Sequence, residues 1–223
     1  MARRFAREGL EAVIVRRHAD QLEPLAAQIR AEGGKAHPFG VDARDEDQML
    51  ALFEQVETGI APIEACIFNI GANVRFPIAE TTSRVFRKVW EMACFSGFLT
   101  GREAAIRMTP RGRGTIIFTG ATASVRGRDG FAAFAAAKHG VRALAQSMAR
   151  ELGPRGIHVA HTIIDGAIDT AWIAENFPQR YALKDQDGIL NPDHIADAYW
   201  MLHAQPRDAW THELDLRPWM EGF

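Results

Sequence analysis

Cysteine is scarce in this sequence, an excess of charge of either sign is missing, and no apolar run is long enough to cross a bilayer. Each absence removes a class of function. The two cysteines, Cys66 and Cys94, cannot build a disulfide framework and have neither CxxC nor Cys/His spacing, so both are expected to be reduced core residues. The eight histidines show no His-x-x-x-His spacing, and no metal site is expected. With 26 basic against 28 acidic residues the formal charge is −2, which provides no field for holding nucleic acid or an anionic membrane. The first residues, Met1-Ala2-Arg3-Arg4-Phe5-Ala6-Arg7-Glu8, lack the apolar stretch of a signal peptide, so a cytoplasmic location is expected. No Gly-x-Ser-x-Gly elbow follows a strand pattern, which disfavours a serine hydrolase.

What is present is an alternation of helical patterns with short apolar runs, the mark of an α/β domain with a parallel, doubly wound sheet. A length of 223 residues suits one domain over 1–223. Residues 1–8 read as the end of a helix closed by Gly9, followed by a buried strand at 12–15. A helix at 20–32 stops at Gly33-Gly34, a strand covers 35–41, and a helix with acids in its first turn covers 45–57. A strand at 64–69, a turn at Gly71-Ala72-Asn73 and one long helix at 83–108 follow. Thr115-Ile116-Ile117-Phe118-Thr119 is a continuous β-rich run of the doubly covered kind. An alanine-rich helix at 132–152, a strand at 157–164 and a last strand at 211–216 complete the pattern, with residues 171–190 read as a lid over the strand ends.

Several landmarks in order resemble the short-chain dehydrogenase/reductase family over essentially the whole chain. Asp42 matches the family's adenine-contacting acid, and Asn69-Ile70-Gly71-Ala72 looks like its Asn-Asn-Ala-Gly turn. Asp165-Gly166-Ala167-Ile168-Asp169-Thr170 resembles the Pro-Gly-x-Ile-x-Thr turn whose backbone meets nicotinamide, with Asp165 in place of proline. The resemblance implies a Rossmann-like fold, an oxidoreductase acting on a small carbonyl or alcohol substrate, and a homodimer or tetramer packed through the helices at 83–108 and 132–152. Arg16 and Arg17 end the strand where an acid would take a ribose hydroxyl, and basic side chains there suit the 2′-phosphate of NADP rather than NAD. The implied cofactor set is thus Arg16, Arg17, Asp42, Asn69, Ile70, Gly71, Lys138, Ile168 and Thr170.

The departures from the family concern its chemistry. Its catalytic tyrosine and lysine, four apart on one helix face, match Phe134 and Lys138; the serine thirteen residues before the tyrosine matches Ala121, and the helix asparagine matches Ala93. Of these four, Lys138 alone is retained. Thr122, Ser124 and Tyr181 are the hydroxyls nearest in the pattern, while His139, adjacent to Lys138, points about 100° away from it and is expected at the surface. The family's first strand and Gly-x-x-x-Gly-x-Gly turn would precede Ala2, so the reading is of a sheet lacking its first strand and of NADP binding weak or absent in this chain. Two alternatives to an enzyme of non-standard mechanism stand beside it: a non-catalytic binding or regulatory partner, and a truncated gene product.

Overall fold

A computed structural model describes residues 1–222. Among these described residues six strands form, β1 (Ala12–Arg16), β2 (Ala36–Gly40), β3 (Ala65–Phe68), β4 (Gly114–Thr119), β5 (Ile157–Ile164) and β6 (Glu213–Leu216), and every pairing among them is parallel. The helices are α1 (Ala2–Arg7), α2 (Glu23–Ala31), α3 (Glu46–Gly59), α4 (Ser83–Trp90), α5 (Ser96–Met108), α6 (Ala132–Leu152), the short α7 (Ala171–Asn176) and α8 (Pro178–Tyr181), and α9 (Pro192–Ala204).

The strands fall into two sheets, β1-β2 and β3-β4-β5-β6. Among the described residues no strand lies between β1 and β3. Val13 and Val15 face across the gap toward Ala65, Cys66, Ile67 and Phe68, around a cleft of about 1060 Å³ that also reaches Met49, Leu52 and Phe53 of α3. Apolar strand residues are normally covered on both faces in a parallel sheet. Here Val15 is 41% exposed, and Ala65, Cys66 and Ile67 are only half-buried. Both cysteines are free, half-buried and packed against the hydrophobic core.

Local chemistry explains most boundaries. Asp45 caps α3 by accepting from the Gln48 backbone N–H at 3.0 Å. Pro38 sits in β2, an outer strand, where its missing N–H leaves no ladder bond unmade. The core under β4 and β5 is dense: Ile116, Ile117, Phe118, Ile157 and Ala160 are fully buried between α5 and α6 on one side and α9 on the other.

Three elements differ from the sequence reading. The helix expected at 20–32 begins as a 3₁₀ turn, Ala19–Leu22, before α2. The last strand is shorter, because Thr211 is occupied by Gln205, its N–H on Oε1 and its hydroxyl taken by Nε2, both at 2.8 Å. The long helix at 83–108 is interrupted by a π-helical turn, Glu91–Phe95. Around that turn the Ser96 hydroxyl donates to Met92 O at 2.6 Å and Thr100 to Ser96 O at 2.8 Å, hydroxyl bonds to the preceding turn that bend helices.

Candidate functional site

The strand ends converge on Lys138. Its side chain leaves α6, is 3% exposed, and donates to Thr119 O at 2.8 Å and Ile70 O at 3.1 Å. One ammonium therefore joins the carboxyl ends of β3 and β4. Burial lowers its pKa from the ordinary lysine value to about 8, since an apolar surround penalises the charged form. The Phe134 ring lies on the same helix face, its centroid 6.0 Å from Lys138 Nζ. His139 is exposed, as expected, with Nδ1 on Ala135 O.

Ala93, Phe134 and Ala121 are held among apolar neighbours. Ala93 is fully buried and Phe134 is 8% exposed; with Ala137, Ala123 and half-buried Ala121 they form one apolar cluster. Ala93 lies in the π-helical turn, a feature common at functional sites. The surroundings of Phe134 are thus hydrocarbon.

The cofactor candidates divide into two groups. Arg16, Arg17, Asp42, Asn69, Ile70 and Gly71 all border the cleft between β1 and β3. Asp42 is not a free acceptor: Arg44 Nε donates to it at 2.9 Å, and that guanidinium holds its pKa down at about 2. Ile168 and Thr170 lie elsewhere, after β5. Ile168 bridges to Leu190, and Thr170 caps α7 through Ile173 N at 3.3 Å.

All three spare hydroxyls are engaged. Ser124 is fully buried and accepts from Ala121 N at 3.1 Å. Tyr181 accepts from Lys184, which is itself paired with Asp169 at 2.9 Å. Thr122 is half-exposed and donates to Asp165. The sequence reading noticed each residue of that last pair and not their contact. It also missed a part-buried network at the β5-β6 pairing, where His161 Nδ1 meets Glu213 at 3.1 Å and Arg142 grips Glu213 at 2.6 and 2.7 Å. Desolvation lowers the His161 pKa to about 4, so the ring is neutral. Beside it, a Cβ on Gly120 would fall on His161 Nε2 and lie 2.7 Å from Ser124 Oγ, so the turn after β4 requires glycine for close approach. No local pattern could reveal these contacts, because each joins separate segments.

The profile of the short chain dehydrogenase family matches residues 1–180. The chain belongs to that family. A short-chain dehydrogenase structure from Rhodopseudomonas palustris is 50% identical, with a TM-score of 0.84 over 98% of this chain and 91% of that one. Gluconate 5-dehydrogenase of Gluconobacter oxydans is 30% identical over 159 residues, 71% of this chain and 62% of the relative. The alignment thus spans less than two thirds of that curated relative's length. A gluconate 5-dehydrogenase structure from Burkholderia cenocepacia, in complex with NADP and tartrate, shares the fold at a TM-score of 0.85 with 22% identity, covering 97% of this chain and 88% of that one. Among the described residues, no helix is long and apolar enough to cross a membrane and no cluster of metal-ligating side chains occurs.

Proposed function

We propose that the chain is a single-domain NADP(H)-dependent oxidoreductase for a small carbonyl or alcohol substrate, working without the family's tyrosine. The observation that carries this reading is the placement of Lys138, which ties together the ends of β3 and β4 through Thr119 O and Ile70 O, Ile70 being a residue of the cleft that Arg16, Arg17, Asp42 and Asn69 border. Ligands of open α/β sheets bind at such carboxyl ends. The residues present suit the adenosine end of NADP. Arg16 and Arg17 are exposed at the end of β1, and the acid Asp42 is neutralised by Arg44 rather than left to repel a 2′-phosphate. When bound, the cofactor supplies a hydride to a carbonyl carbon or removes one from an alcohol. Lys138 would hold ribose and keep positive charge beside the reacting oxygen, and the apolar cluster of Phe134, Ala93 and Ala121 would keep water out.

The reading extends to the sheet. A strand with a glycine-rich turn, lying between β1 and β3, would cover Val15, Cys66 and Ile67 and bring the phosphate-binding backbone that the described residues lack. Fluorescence titration of the full-length protein tests the cofactor assignment. NADPH is expected to bind about tenfold or more tighter than NADH, and Arg16→Ser with Arg17→Ser to abolish that preference. Equal affinity for the two nucleotides would overturn it.

Self-association belongs to the same proposal. Phe86, Trp90, Phe98 and Ile106 of α4 and α5 are each at least 40% exposed, an apolar stripe of the kind that meets a partner. Among the alanines at the start of α6, Ala132 and Ala136 are exposed, whereas Ala133, Ala135 and Ala137 are buried within the protomer. Light scattering of the full-length protein should report a dimer or larger, and a monomer mass across the micromolar range would remove this assignment.

A further inference from the structure

Asp165 closes β5 with a carboxylate that is buried, 3% exposed, and held from several sides. Oδ1 accepts the hydroxyl proton of Thr122. Oδ2 faces the guanidinium groups of Arg126 at 3.6 Å and Arg217 at 3.5 Å, the latter also paired with Asp215. The backbone is fixed as well: Asp165 N donates to Leu216 O at 2.9 Å, and Gly166, at φ 141°, lies so near Pro218 that a Cβ would meet its Cδ at 2.7 Å. Thr122 follows Ala121 directly, on the 3₁₀ turn Thr122–Ser124 after β4, and is the one half-exposed hydroxyl of that turn. A threonine that commits its proton to a carboxylate turns its oxygen lone pairs outward as acceptors.

We propose that Thr122 meets the substrate oxygen and that Asp165, acting through it, receives the substrate proton that the family's tyrosine would have taken. The proposal rests on the oxidoreductase reading above. In alcohol oxidation the substrate O–H proton passes to Thr122 Oγ1 while the proton of Thr122 passes to Asp165 Oδ1. The carbinol C–H bond breaks with its electron pair leaving as hydride to an oxidised nicotinamide, and the C=O bond forms. Asp165 ends as the neutral acid, and Arg126, 44% exposed in its side chain, keeps water as its partner when the carboxylate charge is lost. A relay that ends on a carboxylate favours proton removal over proton donation, so this site is built for the oxidising direction.

The test measures NADP⁺ reduction by the full-length protein across a panel of secondary alcohols and polyols, for wild type, Thr122→Val, Thr122→Ser and Asp165→Asn. Thr122→Val and Asp165→Asn should lower kcat about 10²-fold with little change in KM, and Thr122→Ser should restore it. Independently of turnover, proton NMR of the wild type should show a low-field hydroxyl resonance that Thr122→Val and Asp165→Asn both remove. Retained kcat in a folded Thr122→Val protein, or absence of that resonance in the wild type, overturns the proposal and leaves the oxidoreductase reading standing. No wild-type turnover with any member of the panel overturns both.

Discussion

Phe134→Tyr combined with Ala121→Ser, in the full-length protein, is expected to raise NADPH-dependent carbonyl reduction by about 10²-fold or more, the contribution of a positioned general acid. The effect follows from geometry already in place. Phe134 and Lys138 share one helix face with the ring centroid 6.0 Å from the ammonium, so a phenol at that position would have its anion stabilised by the neighbouring charge. Ala121 is half-buried in the same cluster as Phe134 and would offer a second hydroxyl to the substrate oxygen. The gain should appear in the reducing direction, where a proton must be given and a carboxylate relay through Thr122 is least effective. Lys138→Met should reverse it. Steady-state kinetics on a carbonyl panel measures the effect, and a wild type that reduces a carbonyl rapidly with no gain from Phe134→Tyr would show that the proton donor lies elsewhere.

The second large effect concerns the gap between the sheets. Preceding Met1 with an apolar strand and a glycine-rich turn should raise thermal stability, protect the amides of residues 12–16 and 65–68 from hydrogen exchange, and tighten NADPH binding at least about tenfold over the 223-residue chain. Backbone groups along the facing edges of β1 and β3 have no strand partner among the described residues, and Val15, Cys66 and Ile67 present apolar surface to the cleft. A strand in that position satisfies both edges at once. Calorimetry that finds tight NADH binding by the 223-residue chain would contradict both this expectation and the role given to Arg16 and Arg17.

The fold class was legible because it rests on short-range pattern. The run Thr115–Thr119, apolar on both faces, becomes the buried β4, and the alanine-rich segment capped by Gly153-Pro154 becomes α6 with the bounds read from sequence. The π-helical turn at Glu91–Phe95 escaped because apolar periodicity cannot register one extra residue in a turn held by hydroxyl-to-carbonyl bonds. Spacing also placed Phe134 and Lys138 on one face, since four residues make about one helical turn.

What the sequence by itself determined is therefore the alternation of elements and the family, both properties of residue type and spacing. Tertiary structure alone decided which groups meet. Thr122 and Asp165 come from the ends of different strands and touch because β4 and β5 pair in register, Thr119 against Thr162. The cleft beside Arg16, Arg17 and Asn69 exists because β1 and β3 do not pair. Lys138 is buried because two strand-end carbonyls accept its protons. The reason is common to all three: a side chain's local periodicity sets which way it points from its own element, whereas its partner, burial and charge state depend on segments brought beside it by strand pairing and helix packing.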